Sequence, residues 1–359
     1  IIIGGGIIGV CAALALAERG IPVALFEKGQ IAAEQSSRNW GWCRQQGRDP
    51  REMPLIIESL RLWRGMNTRI QRNVGFSECG VLTLAQNDTE LQKHHAWSII
   101  GKEHGVNNSL LNGKDVVQHI PDCTTSWQGG LFTPSDGRAE PTLAAPAIAL
   151  AARGLGAQLF TNTAVRTIDT QAGRVSGIVT ERGRIKCKTV IVAAGAWSSL
   201  FLRNLGVRVP QLKVRSSAFR THPMPGGPEI SIYASGFAAR KRSDGGYTIA
   251  LGGRTRIPYD LTPDSFRYLR EFLPLAWMSR NSLRLRLSER FTTEQTYSSR
   301  WDGQTPTIFE KERILDPTPV VKLLDQAHAN ITASFPFFKK LSVAEQWAGM
   351  IDVTPDAVP

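Results

Sequence analysis

The residues best placed to do chemistry open the chain. Gly4-Gly5-Gly6-Ile7-Ile8-Gly9 matches the spacing G-x-G-x-x-G, and an acid, Glu27, follows about twenty residues later. Each glycine has its own task. Gly4 permits a tight turn, Gly6 lets the backbone approach a pyrophosphate, and Gly9 lets the next helix pack close to the preceding strand. The first N–H groups of that helix, and the positive end of its dipole, face the phosphates. Glu27 can accept hydrogen bonds from both ribose hydroxyls and would repel a 2′-phosphate, which disfavours NADP. The flanking sequence supplies the required context. An apolar strand ends at Ile3, helix formers fill 11–19, Gly20 and Pro22 stop the helix, and a second apolar strand over 23–26 is closed by Glu27.

This fingerprint does not by itself separate NAD from FAD; the next segment does. After Lys28 and Gly29 comes a polar loop, Ser36-Ser37-Arg38-Asn39-Trp40-Gly41-Trp42. An NAD-binding unit would turn straight into another helix. A loop dense in Ser, Arg, Asn and Gly suits a longer flavin dinucleotide, whose ribityl chain it can bind and whose ring it can reach. Two tryptophans would be out of place in a merely solvated loop. The expected FAD contacts are therefore Gly4, Gly6, Ile7, Ile8, Gly9, Glu27, Lys28, Ser36, Ser37, Arg38, Asn39, Trp40 and Gly41.

The elements that must position these residues are legible in outline. Asp49-Pro50-Arg51-Glu52 reads as a capped helix start, and Met53, Ile56, Leu60, Trp63 and Ile70 follow at helical spacing to about Arg72. Residues 76–85 alternate as a strand, and 88–105 read as a helix. His94 and His95 on it are sequence neighbours, do not share a helix face, and make no metal pair. Pro141 starts an alanine-rich helix to Arg153. Strands are expected over 158–161, 164–169, 174–180, 184–188 and 189–193, so the chain returns to the parallel sheet begun at Ile1. The small residues Ala193-Ala194-Gly195 end the last of these and allow another close backbone approach to the cofactor. Further on, 230–233 and 237–242 alternate, Ser243-Asp244-Gly245-Gly246 turns a hairpin, and 247–251 returns. Residues 263–273 and 323–330 read as helices, and 280–290 alternate as a half-exposed strand with a basic side.

Composition bounds the class. The 359 residues, 42% apolar and 21% charged, describe a globular chain of two domains or one with an insertion. The net charge of +12 fits anionic ligands, but no basic stripe or reader motif accompanies it, so nucleic acid is not an expected partner. The five cysteines are scattered without a C-x-x-C pair, which indicates neither a disulfide framework nor a zinc site, and no metal is expected. A reducing cytoplasm is the default location; the basic 280–290 segment leaves peripheral membrane association open. Residues 1–17 are uncharged, but four glycines in the first nine suit a phosphate turn better than a membrane span. With no initiator Met at the front and an apolar, turn-rich stretch at Pro359, both ends read as cut.

Taken in order, these residues resemble the FAD-dependent oxidoreductases that include D-amino-acid oxidase, glycine oxidase, sarcosine oxidase and D-amino-acid dehydrogenase. The resemblance rests on residues 4–9, Glu27, 36–41, Pro134-Ser135-Asp136-Gly137 with Pro141, Ala164-Val165, 192–197, Trp347-Ala348-Gly349 and Thr354-Pro355-Asp356. One run, 37–49, is most similar to a branch that includes broad-range L-amino-acid oxidases. The resemblance implies an α/β fold: a Rossmann-type FAD-binding domain (1–48, 130–214 and 341–359) with an α+β, antiparallel-sheet substrate domain (49–129 and 215–340). It adds Val165 beside the adenine, and Ala193, Ala194, Gly195 and Trp197 against the FAD. It also places the family's last glycine-rich strand–helix element beyond Pro359.

The implied reaction is oxidation of an amino-acid C–N bond. Hydride passes from the α-carbon to flavin N5, and the imino acid hydrolyses to a 2-oxo acid and ammonia. The electron acceptor would be O2, a quinone or a partner protein, and a homodimer remains open. D-amino-acid dehydrogenase or another amine or hydroxy-acid dehydrogenase is an alternative within the family. An NAD-dependent dehydrogenase and a non-catalytic flavin subunit are alternatives of other kinds. Glycine oxidase and similar members grip the substrate carboxylate with an arginine that this chain lacks, since the matching run is Gly349-Met350-Ile351-Asp352. Another arginine must substitute. Arg44, two residues past Trp42, is the expected anchor, ahead of Arg48, then Arg240 and Arg254. FAD should lie under residues 38–42 and a sheet bearing Tyr233 and Tyr247, bound without a covalent link, with Cys43 a packing residue. The candidate catalytic residues are Arg44, Tyr233 and Trp40.

Overall fold

The computed structural model describes residues 1–253 and 257–358. Its first layer is a four-stranded parallel sheet in the order Ile191–Val192, Ile2–Ile3, Ala24–Phe26, Gln158–Phe160. The helix Ile7–Ala17 follows the first strand, and its alanines let Pro141–Gly154, equally rich in small residues, pack against it. Ile2, Val10, Leu14, Leu25 and Ile148 are completely or almost completely buried between them. Close packing of this kind, with few voids, is what fixes the glycine turn at the head of the sheet. A three-stranded antiparallel meander (Val165–Gln171, Arg174–Thr180, Gly183–Lys186) covers one end.

The second layer is an eight-stranded mixed sheet. Its order is Val343–Val353, Leu212–Thr221, Tyr247–Ala250, Phe237–Lys241, Ser231–Ala234, Val81–Ala85, Gly129–Thr133, Ser109–Asn112. All neighbours are antiparallel except Ser231–Ala234 beside Val81–Ala85. One face is closed by the helix Val321–Ser334, with Leu82, Ile232, Phe237, Tyr247 and Ile249 buried against it. Strand residues alternate between faces, so Thr83, Tyr233, Ala238, Arg240 and Thr248 look the other way, toward residues 40–46. The strands Gly129–Thr133 and Val343–Val353, grouped by sequence with the nucleotide half, pair in this large sheet.

Several elements differ from the sequence expectation. Of 76–85, only Val81–Ala85 forms a strand, because Gly80 takes φ +77° and breaks the extended run. The helix expected over 263–273 is two, Pro263–Arg267 and Leu269–Ser279, separated at Tyr268. Residues 280–290 hold a strand only over Leu283–Arg286, where Ile257–Asp260 pairs with it; a helix begins at Glu289. Leu212–Thr221 lacks a simple alternation. Lys213 and Arg215 at one end pair with Glu294 and Asp260, while Ala218 and Phe219 toward the other end are buried, so one strand carries two polarity patterns. No helix of the described residues is long and apolar enough to cross a membrane, and among them there is no cluster of metal-binding side chains.

Candidate active site

The glycine turn is forced by its surroundings. Gly4 sits at φ +111°, and a Cβ there would come within 2.3 Å of the Ala193 carbonyl oxygen. A Cβ on Gly9 would fall 1.9 Å from the carbonyl oxygen of Gly4, so only glycine lets the helix meet the strand. Gly6 faces Ser36, whose Oγ accepts the Ile7 N–H at 2.8 Å. Above this turn lies a cavity of about 380 Å³. Twelve of the residues expected to touch FAD line it: Gly4, Gly6, Ile7, Ile8, Glu27, Lys28, Ser36, Val165, Ala193, Ala194, Gly195 and Trp197.

Glu27 is held from both sides. Its Oε2 accepts from the Gly5 N–H and its Oε1 from the Gly29 N–H, each at 2.7 Å. Each oxygen keeps a further lone-pair site for a ribose hydroxyl. Burial pushes this carboxyl above its ordinary range, and the two amide donors work against that. Lys28 donates to Glu34 (2.7 Å) and to the carbonyls of Glu312 and Arg313, and its ammonium lies 4.5 Å from the Trp197 ring. Trp197 in turn donates to Glu34 at 3.0 Å. Glu34, Gln35, Met350 and Asp352 are among the further residues of the wall and carry no local sequence signal for it; the fold brings them there. Gln35 Oε1 is buried and has no hydrogen-bond partner among the described residues. The glycine cradle, the acid with spare acceptor sites and this orphaned oxygen together fit a dinucleotide that carries many hydroxyl and N–H groups.

The other expected contacts lie outside this cavity wall. Gly9 acts behind the turn, as described. Residues Gln35–Arg38 form a short helix where a loop was expected. Arg38 donates to Asp316, to the Ala348 carbonyl at 2.9 Å and to the Ala33 carbonyl at 3.2 Å. Ser37 donates to the Glu34 carbonyl. Asn39 clips its own turn, accepting the Gly41 N–H at 2.7 Å and donating to the Ser36 carbonyl. Gly41, at φ +79°, allows the chain to pass within reach of Ala139 and Arg240.

Beyond Gly41 the chain forms a second constellation. Trp40 and Trp42 meet edge to face at 5.9 Å, and Trp42 meets Tyr233 likewise at 6.0 Å. The Tyr233 hydroxyl accepts the Gly253 N–H at 2.9 Å. Tyr247 is not part of this wall. Its register puts it on the opposite face, packed on Phe338 at 4.9 Å, with its hydroxyl on the Gly226 and Pro228 carbonyls. Arg44 lies next along the chain. It is partly buried, donates to the Gln46 carbonyl, and has no carboxylate partner among the described residues. Burial draws its guanidinium down to about 10, and the Arg48 charge adds to the shift; Asp136, Tyr233 and Glu52 oppose it. The rival arginines are committed elsewhere. Arg48 pairs with Glu52 at 3.5 Å. Arg240, 1% exposed, binds Glu140 at 2.7 Å and the Trp40 carbonyl. Arg254 lies outside the described residues. Cys43 is a partly buried free thiol, and burial pushes it up to about 12.

A family model described as FAD dependent oxidoreductase matches residues 1–359, the entire chain. The chain belongs to this family. Its cofactor is FAD, it is an oxidoreductase, and the NAD-dependent alternative is thereby set aside. Over its whole length it is 30% identical to the L-amino acid deaminase of Proteus myxofaciens solved in complex with anthranilate, with a TM-score of 0.94 and 81% of that chain covered. The L-amino acid deaminase of Proteus vulgaris gives 29% identity, a TM-score of 0.93 and 84% coverage. A curated relative is the sarcosine oxidase subunit beta of Rhodobacter capsulatus, 24% identical over 369 residues. The chain spans 75% of that subunit, and 29% and 52% of the next two curated relatives.

Proposed function

We propose that this flavoprotein oxidises the C–N bond of 2-amino acids, in the manner of an L-amino acid oxidase or deaminase. The observation that carries the reading is Arg44, a partly buried guanidinium beside an aromatic wall with no carboxylate partner among the described residues. A carboxylate leaving water needs a charge-assisted partner, and the guanidinium fork can hold both oxygens. Bound FAD supplies the two-electron oxidant. Residues lining the cavity around the glycine turn would hold its dinucleotide. Arg44 would orient the substrate through its carboxylate, while Trp40, Trp42 and Tyr233 shield the reacting carbon from water. The similarity to L-amino acid deaminases favours L-substrates, whereas the curated relatives named for sarcosine, glycine and D-amino acids keep those substrates in the test. Anaerobic mixing with L- and D-amino acids should bleach the flavin with at least one L-amino acid and without any partner protein. Reduction by D-amino acids alone would overturn the stereochemical reading, and no reduction by any would leave a flavin subunit without amine chemistry.

We further propose that one exposed surface of the protein binds a membrane. The helix Leu269–Ser279 exposes Leu269, Leu273, Trp277 (68%) and Met278 (75%), and Leu285 and Leu287 lie exposed on the segment that follows. Arg270, Arg280, Arg284 and Arg286 are exposed among them. Apolar and aromatic side chains flanked by cations are the make-up of an interfacial helix on anionic lipid. Peripheral binding there would favour a membrane quinone over O2 as acceptor. The holoenzyme should pellet with vesicles containing anionic lipid and stay in the supernatant with neutral ones. Equal behaviour with both would remove this reading.

A further inference from the structure

Arg44 is carried by a turn that the rest of the molecule grips unusually hard. Asp136 is completely buried. Its Oδ1 accepts the Gln45 N–H at 2.7 Å and the Gln45 Nε2 at 3.2 Å, and its Oδ2 accepts the Gln46 N–H at 3.0 Å. Gln46, also buried, runs its side chain into the large sheet, where Nε2 donates to the Leu131 carbonyl (2.9 Å) and Thr133 Oγ1 (3.0 Å), and Thr83 Oγ1 donates to its Oε1. The carbonyl of the same Gln46 receives the Arg44 guanidinium. Just upstream, Trp42 and Cys43 pair with Arg138 and Gly137, the residues that follow Asp136. One carboxylate thus ties together consecutive amides directly after Arg44, while the paired strands fix the residues directly before it.

We propose that Asp136 is a positioning residue for substrate recognition, holding the 44–46 turn so that the Arg44 fork faces the substrate carboxylate. This rests on the reading of Arg44 as the carboxylate anchor. A buried carboxylate accepting backbone N–H groups is a costly arrangement that leaves little freedom for displacement. A guanidinium on a four-bond side chain keeps a fixed aim only if its own backbone is fixed. Asp136→Asn retains size and one acceptor oxygen but turns an N–H donor toward an amide that also donates, so the turn must shift.

The test compares a 2-amino acid with its uncharged carboxamide, each titrated anaerobically into the FAD-loaded enzyme and read from the flavin spectrum. Asp136→Asn should lower the preference for the amino acid by at least about tenfold, leaving carboxamide affinity and FAD content unchanged. Combined with Arg44→Met, it should add nothing to the loss that Arg44→Met causes alone, as expected when one residue acts through another. Thr83→Val, which deletes one anchor of Gln46, provides the same readout if Asp136→Asn does not accumulate, and should lower the preference by a smaller factor. Equal weakening of both ligands, or an additive double variant, would make Asp136 merely structural and overturn the proposal. An unchanged preference in Arg44→Met itself would instead overturn the anchor reading on which it rests.

Discussion

The nucleotide cavity and the Arg44 corner share one continuous stretch of chain, residues 27–46, which contributes to both, but their charges are balanced differently. At the cavity, each charge has protein partners. Lys28 is bound by Glu34 and two carbonyls, Glu27 by two amides, and Trp197 bridges to Glu34. At the corner, Asp136 and Gln46 are satisfied, yet among the described residues the guanidinium they frame has only a backbone carbonyl. The two kinds of site differ in what holds their ligand. A permanent cofactor can be held by a cradle whose backbone is already in place, whereas a ligand that comes and goes is best met by a charge that lacks its own counter-charge.

The contrast is sharpest between two arginines, Arg240 and Arg44. Arg240 is fully buried and paired with Glu140, so Arg240→Met leaves that buried carboxylate only the Ser243 N–H at 3.0 Å and Arg242 at 4.0 Å, and should cost about 3–5 kcal/mol of stability. Arg44→Met strands no acid and should leave the unfolding temperature unchanged or raised. Thermal unfolding of the two apoproteins checks this, and equal destabilisation would dissolve the distinction between a structural and a receptive arginine.

A gentler effect separates the cavity from the corner by pH. Burial raises the Glu27 carboxyl in the folded state. The folded chain therefore keeps that proton to higher pH than the unfolded chain. Between the ordinary carboxylate value and the raised one, the apoprotein's stability should fall as pH rises. FAD retention should run the opposite way, weakening as pH falls through the same window, because only the ionised group accepts from both ribose hydroxyls without giving up a lone pair. Glu27→Gln should flatten both trends. Retained FAD and apoprotein melting, followed from about pH 4 to 7, provide the check, spanning the range where carboxyls titrate.

The cavity was readable in the sequence because its signals are local. Gly4, Gly6, Gly9 and Glu27 fall at spacings that the strand–turn–helix unit itself imposes, and Val165 and Ala193 came with the ordered resemblance. The corner was readable only in part. Arg44 stood out because the run around Ile351 lacked an arginine, but nothing near it in sequence announces Asp136, which lies 91 residues beyond Gln45. Tyr247 shows the same limit in reverse. Its place on a strand was evident, but which face it takes depends on the register against 218–220 and 238–241, and that register turns it into the core. Ser36 lines the cavity, whereas Ser37, Arg38 and Asn39 lie outside its wall, because Ser, Arg and Asn serve a short helix and a tight turn as readily as a ligand.

Arg44 is proposed as the carboxylate anchor of an amino-acid-oxidising flavoprotein. Anaerobic flavin reduction by the best 2-amino acid, measured as a dissociation constant in wild type and Arg44→Met with FAD content matched, tests it most directly. Loss of a desolvated charge pair costs about 2–5 kcal/mol, so the dissociation constant should rise roughly 30- to 4,000-fold. An unchanged constant with normal FAD loading would contradict the account and move the anchor to another arginine.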